Sequence, residues 1–165
     1  MNSINPINID GYVPGAIGRI AEMHARYYSD HWKFGKYFEA KVATEVSEFV
    51  GRFDDRRDGF WTACSDNRVQ GSIIIDGIKA DSEGAHLRWY IVSENIHGQG
   101  IGRQLISIAM DFCRKRHYKQ VFLWTFAGLD AARHLYENSG FKLVHEQQGS
   151  QWGKTVTEQK YVCEL

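Results

Sequence analysis

The sequence predicts a mixed α/β fold, a central sheet with helices on both faces, and three observations carry that prediction. Apolar residues recur at helical spacings of three and four in some segments and as short β-type runs in others. The elements follow the order β-α-α-β-β-β-α-β-α-β-β, which requires helices layered on a sheet. The chain has 165 residues, 43% apolar and 24% charged, enough for one core and ordinary for a globular protein. A single domain over residues 1–165 is expected, since no repeat, low-complexity run or linker interrupts it.

The first strand is read at 7–9. Pro14 then precedes a helical pattern to about residue 28, with Ile17, Ile20, His24 and Tyr27 on one stripe, and 30–35 breaks it. A second helix carries Phe38, Val42, Val46 and Phe49 on one face and stops at Gly51. Segments 60–64 and 69–75 read as strands joined by a tight turn at Ser65-Asp66-Asn67-Arg68. A strand at 87–92 runs into a glycine-rich loop and then a helix whose stripe is Ile101, Leu105, Ile108 and Phe112. A strand at 121–126, a helix at 129–138 and two closing strands near 141–145 and 155–163 complete the order.

Composition excludes several classes of function. Twenty Lys and Arg balance twenty Asp and Glu, so no broad nucleic-acid or membrane patch is expected. No apolar run approaches the roughly 20 residues of a membrane span, and the first residues lack the charge and apolar stretch of a signal peptide. Cys64, Cys113 and Cys163 have no metal-like spacing; buried, reduced thiols in a cytoplasmic protein are expected, with no metal site.

The chemistry begins at His97-Gly98-Gln99-Gly100-Ile101-Gly102-Arg103. Glycines between a strand and a helix let backbone approach a ligand, and the first N–H groups of the helix lack internal partners. The helix dipole adds partial positive charge, so the junction is suited to a phosphate or pyrophosphate. The spacing is not that of a dinucleotide fingerprint, because Arg103 stands at the third glycine position, and no Gly-Lys-Ser/Thr of a P-loop is present. A tight turn without a ligand is the competing reading of the glycines alone.

A second run, Ala132-Arg133-His134-Leu135-Tyr136-Glu137-Asn138-Ser139-Gly140-Phe141, lies one helix and one strand downstream. With the glycine loop it resembles the GCN5-related N-acetyltransferase (GNAT) superfamily, over residues 84–146 most strongly. The family's pyrophosphate loop, Arg/Gln-x-x-Gly-x-Gly/Ala, is matched at His97 to Gly102, and its Ala-x-x-Leu-Tyr-x-x-x-Gly-Phe run at Ala132, Leu135, Tyr136, Gly140 and Phe141. More narrowly, 87–92 and 122–128 resemble the acetyltransferase half of bacterial proteins that fuse it to a MarR-type regulator.

The resemblance implies a GNAT-like, mostly antiparallel sheet of about seven strands, acetyl-CoA as co-substrate and an amine of a small molecule or protein as acceptor. Acetyl-CoA would lie where the strands at 87–92 and 121–126 splay. Its pyrophosphate would meet N–H groups of Gly98, Gln99, Gly100, Ile101, Gly102 and Arg103, with His97 beside them, and its pantetheine arm would pair with backbone at Ile91 and Val92. A backbone N–H near Val92 would stabilise the oxyanion. Tyr136 would be the general acid, since a phenol is protonated at neutral pH and can donate to a departing thiolate. The resemblance also allows a homodimer through the final strands.

Acetyl transfer needs a neutral amine, yet no base is singled out by sequence. His86, Glu39, Glu45, Glu48 and a water relay remain alternatives. Aromatic residues at 27–38 and Trp152 suggest a pocket wall for a hydrophobic or cationic amine. Three positions depart from the family pattern: His97 for Arg or Gln, Glu94 for proline, and Leu129 for asparagine. An active acetyltransferase is the first reading, a non-catalytic acyl-CoA-binding or regulatory domain the alternative, and a Rossmann-type nucleotide module the last.

Overall fold

The computed structural model describes residues 5–165; residues 1–4, where a leader would begin, lie outside them. The elements are β1 (Asn8–Asp10), α1 (Ala16–Trp32), α2 (Lys36–Gly51), β2 (Gly59–Ser65), β3 (Arg68–Asp76), β4 (Ala85–Val92), α3 (Ile101–Lys115), β5 (Gln120–Phe126), α4 (Asp130–Asn138), β6 (Lys142–Gly149) and β7 (Val156–Glu164). They come in the order read from the sequence. The seven strands form one sheet, β1-β2-β3-β4-β5-β7-β6. Every neighbour pair is antiparallel except β4 and β5, which α3 connects as a crossover.

The two faces of the sheet carry separate cores. On one face Ile20 and Met23 of α1 join Phe38, Val42, Val46 and Phe49 of α2 against Ile74, Ile91 and Phe126. On the other, Leu105, Ile106, Ala109 and Met110 of α3 and Tyr136 of α4 pack on Ile73, Ile75, Leu87, Val121 and Leu123. The alternation of Ile73, Ile74 and Ile75 between these cores is the period of two of a strand buried on both faces. Among the described residues no helix is long and apolar enough to cross a membrane.

Two helices differ from the sequence reading. α1 runs to Trp32 rather than residue 28, because the Lys33 N–H bonds Ser29 O and the Phe34 N–H bonds Tyr28 O, with Lys33 at φ 60°. This paired closure satisfies the last carbonyls without a glycine. The stripe of α3 is rotated from the one expected: Ile101 and Leu105 are buried, but Ile106, Ala109, Met110 and Cys113 take the places expected of Ile108 and Phe112. The hairpin between β2 and β3 turns on Asp66 and Asn67, both at positive φ as its tight two-residue turn requires.

One irregularity positions the site. β3 and β4 keep register from Asp76–His86 to Ile74–Arg88 and regain it at Ser72–Ile91, so β4 carries an extra residue. Trp89 sits there at φ 45°, and Ser72 Oγ donates to its carbonyl at 2.7 Å. Bulges bend the strand that contains them. Beyond it the parallel pairing fails: β4 and β5 are matched only at Ala85–Val121 and His86–Phe122.

Candidate active site

Because β4 and β5 separate after two pairs, the sheet is open between Arg88–Val92 and Leu123–Phe126. A cavity of about 210 Å³ fills the gap. Tyr136, which belongs to the α3/α4 core, and Tyr28, Phe38 and Val42 from the α1/α2 side all line it, so the opening passes through the sheet.

At the far end of β4 a short 3₁₀ turn, Glu94–Ile96, leads into the glycine loop. Gly98 and Gly100 adopt φ 79° and 75°, a left-handed backbone with nothing within 4 Å of where a Cβ would stand. Backbone N–H groups from Gly98 through Arg103 have no acceptor among the described residues, whereas the next, Gln104, bonds Gly100 O. Six consecutive free donors at a helix start are suited to an anion with several oxygens, and they fit a pyrophosphate. Gly102 has a different task. A Cβ there would stand 2.3 Å from Tyr90 Oη, so its glycine is required by the close approach of β4 rather than by a ligand.

The neighbours of the loop differ in use. The Arg103 side chain is exposed and makes no ion pair among the described residues, which leaves its charge free beside the donors. His97 turns back on the strand, its Nε2 2.9 Å from Val92 O, so that carbonyl is engaged within the chain. Glu94, whose charge would oppose an anion, is held by His31 Nε2 of α1 at 3.0 Å. Ile91 is buried and Val92 half-buried at the edge of the opening.

Tyr136 is buried, with its ring 6.0 Å from that of Tyr90 and 6.3 Å from Tyr161. Burial raises its phenol well above the usual value, with the Tyr28 and Tyr90 hydroxyls adding to the effect. The group therefore keeps its proton over the working pH range and is present as a hydrogen-bond donor. The neighbouring run explains its placement: Gly140 at φ 95° ends α4 and sends Phe141 back under Tyr136, rings 6.0 Å apart.

Of the base candidates, His86 and Glu45 line the cavity, whereas Glu39 and Glu48 are exposed on α2 and do not. Glu45 is taken up by Lys41 at 2.5 Å and Arg88 at 2.8 Å. Arg88 also meets Asp76 at 3.5 Å and lies 4.0 Å over the Trp89 ring. His86 is stacked on Phe122, and burial with the nearby Arg88 charge lowers its pKa to about 3. The aromatic reading of 27–38 divides: Tyr28 and Phe38 are cavity wall, Phe34 is core, and Tyr37 is exposed. Trp152 lines the cavity, its ring 5.6 Å from Phe126.

His24 was legible only as one more stripe position, yet it also lines the cavity. It is buried, and burial lowers its pKa from 6.5 to about 4. The unfolded chain therefore binds a proton that the folded chain refuses. The share of stability linked to His24 is present above pH 6.5 and falls as pH drops toward 4, with about 2 kcal/mol lost by about pH 5. Urea unfolding near pH 7 and pH 5 should show that loss, and His24→Asn should remove this share of it.

Comparisons with known proteins bear on the family and the fold. Residues 18–141 match the model of the acetyltransferase (GNAT) family. Human N-acetyltransferase 8 is 25% identical over 125 residues, 73% of this chain and 55% of that protein. Rat N-acetyltransferase 8F1 is 28% identical over 114 residues, 67% of this chain and 51% of that one. The chain thus spans about half the length of these relatives. In fold, a GNAT-family acetyltransferase from Staphylococcus aureus superposes with TM-score 0.76 at 19% identity, covering 97% of this chain and 99% of that one. The ribosomal-protein-S18-alanine N-acetyltransferase from Escherichia coli gives 0.69 at 17% identity, covering 96% and 94%. With three quarters of its length inside the family model, the chain belongs to the GNAT acetyltransferase family.

Proposed function

We propose that the protein is an acetyl-CoA-dependent N-acetyltransferase that moves the acetyl group to a primary amine by direct attack in a ternary complex. The observation that carries this reading is the opening between β4 and β5, with free loop donors at one end and the buried Tyr136 phenol in its wall. The residues Gly98 to Arg103 would hold the pyrophosphate, and the Ile91–Val92 edge would receive the pantetheine arm, largely by backbone. With Val92 O already bound to His97, the pairing at that residue falls to other backbone groups.

The amine nitrogen forms its bond to the acetyl carbon, the carbon–sulfur bond breaks, and the sulfur takes the Tyr136 proton. The surplus proton on nitrogen passes to water, and water restores the phenol. Holding both reactants in one cavity replaces an encounter in solution by a pre-arranged one. The base candidates support water as the proton sink, since Glu45 is ion-paired and His86 is too weak a base to gain a proton readily. Zero formal net charge favours a small-molecule or protein amine over a nucleic acid, and three unpaired thiols favour a reducing, cytoplasmic setting.

Thermal unfolding with acetyl-CoA, NAD or ATP tests the ligand. Acetyl-CoA at 100 times its Kd should stabilise the protein by about 2.7 kcal/mol, with no comparable shift from NAD or ATP. Thiol release with 2-phenylethylamine, spermidine and lysine methyl ester then tests the transfer. Absence of a shift at saturating acetyl-CoA overturns the ligand; a shift without turnover of any amine leaves the non-catalytic binding domain.

A further inference from the structure

We propose that His24 is the residue that seats the acceptor amine, its Nε2 accepting one N–H of the uncharged nucleophile. The inference rests on the acetyltransferase reading above. His24 lies in the middle of α1 and is 5% exposed. Its Nδ1 is 2.8 Å from Ile20 O, a carbonyl one turn back, and a carbonyl can only accept. Nδ1 therefore carries the proton, and in the neutral ring Nε2 is left as an acceptor with a fixed direction.

Nε2 has no donor among the described residues, although the ring is almost wholly buried. It is not sealed off either, since the sole fully enclosed, unpartnered side-chain polar atom among the described residues is Tyr161 Oη. His24 lines the cavity with Tyr28 and Tyr136, and in this proposal its free nitrogen meets whatever enters there. Buried polar atoms are ordinarily satisfied, and an exception in a cavity wall points to a ligand.

The surroundings select the charge state of that ligand. Tyr28 shares α1 with His24; Lys41 and Glu45 face the cavity from α2, His86 and Arg88 from β4, and Tyr136 from α4. The lone carboxylate in this set, Glu45, is bound by both Lys41 and Arg88. No free anion remains in the wall to hold an ammonium. A neutral imidazole, kept so by burial, can accept from an amine without needing its charge. One N–H tied to Nε2 leaves the nitrogen lone pair for the acetyl carbon. His24 itself neither gains nor loses a proton; the surplus proton goes to water as before.

Three variants separate this role from a structural one. His24→Asn can keep the bond to Ile20 O but is too short to present an acceptor where Nε2 stood. His24→Gln can place its carbonyl oxygen near that point, and His24→Phe keeps ring shape alone. Measured with the best amine of the three above, Asn and Phe should lose about tenfold in kcat/KM, mainly through KM. Gln should stay within about threefold of the parent, and acetyl-CoA stabilisation should be unchanged in all. Equal kcat/KM for Asn and the parent overturns the inference, as does a Gln variant as impaired as Asn. If Phe does not fold, the Asn–Gln contrast decides alone. A parent protein that binds acetyl-CoA yet turns over no amine overturns the acetyltransferase reading itself, an outcome distinct from an active parent indifferent to His24.

Discussion

Tyr136→Phe should lower kcat by about 100-fold or more while leaving acetyl-CoA binding almost unchanged. The substitution removes one oxygen from a buried ring that packs against Tyr90, Phe141 and Tyr161, so the core keeps its shape. What disappears is the proposed proton donor. A thiolate leaving beside the aromatic rings of the cavity wall is poorly solvated, and without a donor the transition state bears more of the negative charge on sulfur. The loss belongs in kcat because the interaction develops as the carbon–sulfur bond breaks. Steady-state kinetics with the thermal shift in acetyl-CoA separates the two quantities. A variant with undiminished kcat would remove Tyr136 from the chemistry and leave it as a core aromatic.

Gly100→Val should remove the acetyl-CoA response by a different route. Gly100 sits at φ 75° as the residue before α3, with open space around its missing side chain. A branched residue there meets no neighbour, so the penalty is in the backbone, about 1–2 kcal/mol for a left-handed conformation without glycine. The loop escapes that penalty by rotating, and the free N–H groups on either side cease to converge. A Kd raised at least tenfold, about 1.4 kcal/mol, is expected in titration of acetyl-CoA. Gly102→Ala serves as the contrast. Its backbone is ordinary, but its Cβ would meet Tyr90 Oη, so it should cost stability by overpacking before it costs affinity. Equal affinity of Gly100→Val and the parent would assign the loop no role in binding.

The separation of the glycines shows what the chain reveals in one dimension and what it does not. Gly98, Gly100 and Gly102 are equivalent as a pattern, and as a pattern they are suited to an anion at a helix start. Only the fold distinguishes two left-handed residues facing open space from a third pressed against Tyr90. The same holds for charges. Glu94 and His97 both depart from the family pattern beside the loop, but one is bound by His31 and the other bonds Val92 O. Neither partner is near in sequence in a way that periodicity could expose.

The order of elements, the hairpin at Asp66-Asn67, the two amphipathic faces of α1 and α2 and the glycine-rich strand–loop–helix junction were all determined by the sequence alone. Each depends on contacts within a few residues, where spacing and backbone preference suffice. The tertiary structure decided the rest. Trp89 gives no local sign of a bulge, since its left-handed backbone opposes its own preference and is imposed by register with β3. The bulge parts β4 from β5, the parting makes the cavity, and the cavity brings Tyr136 from one face together with His24 and Tyr28 from the other. Residues more than a hundred positions apart meet there because the sheet opens between them, and no periodicity within either helix encodes that meeting.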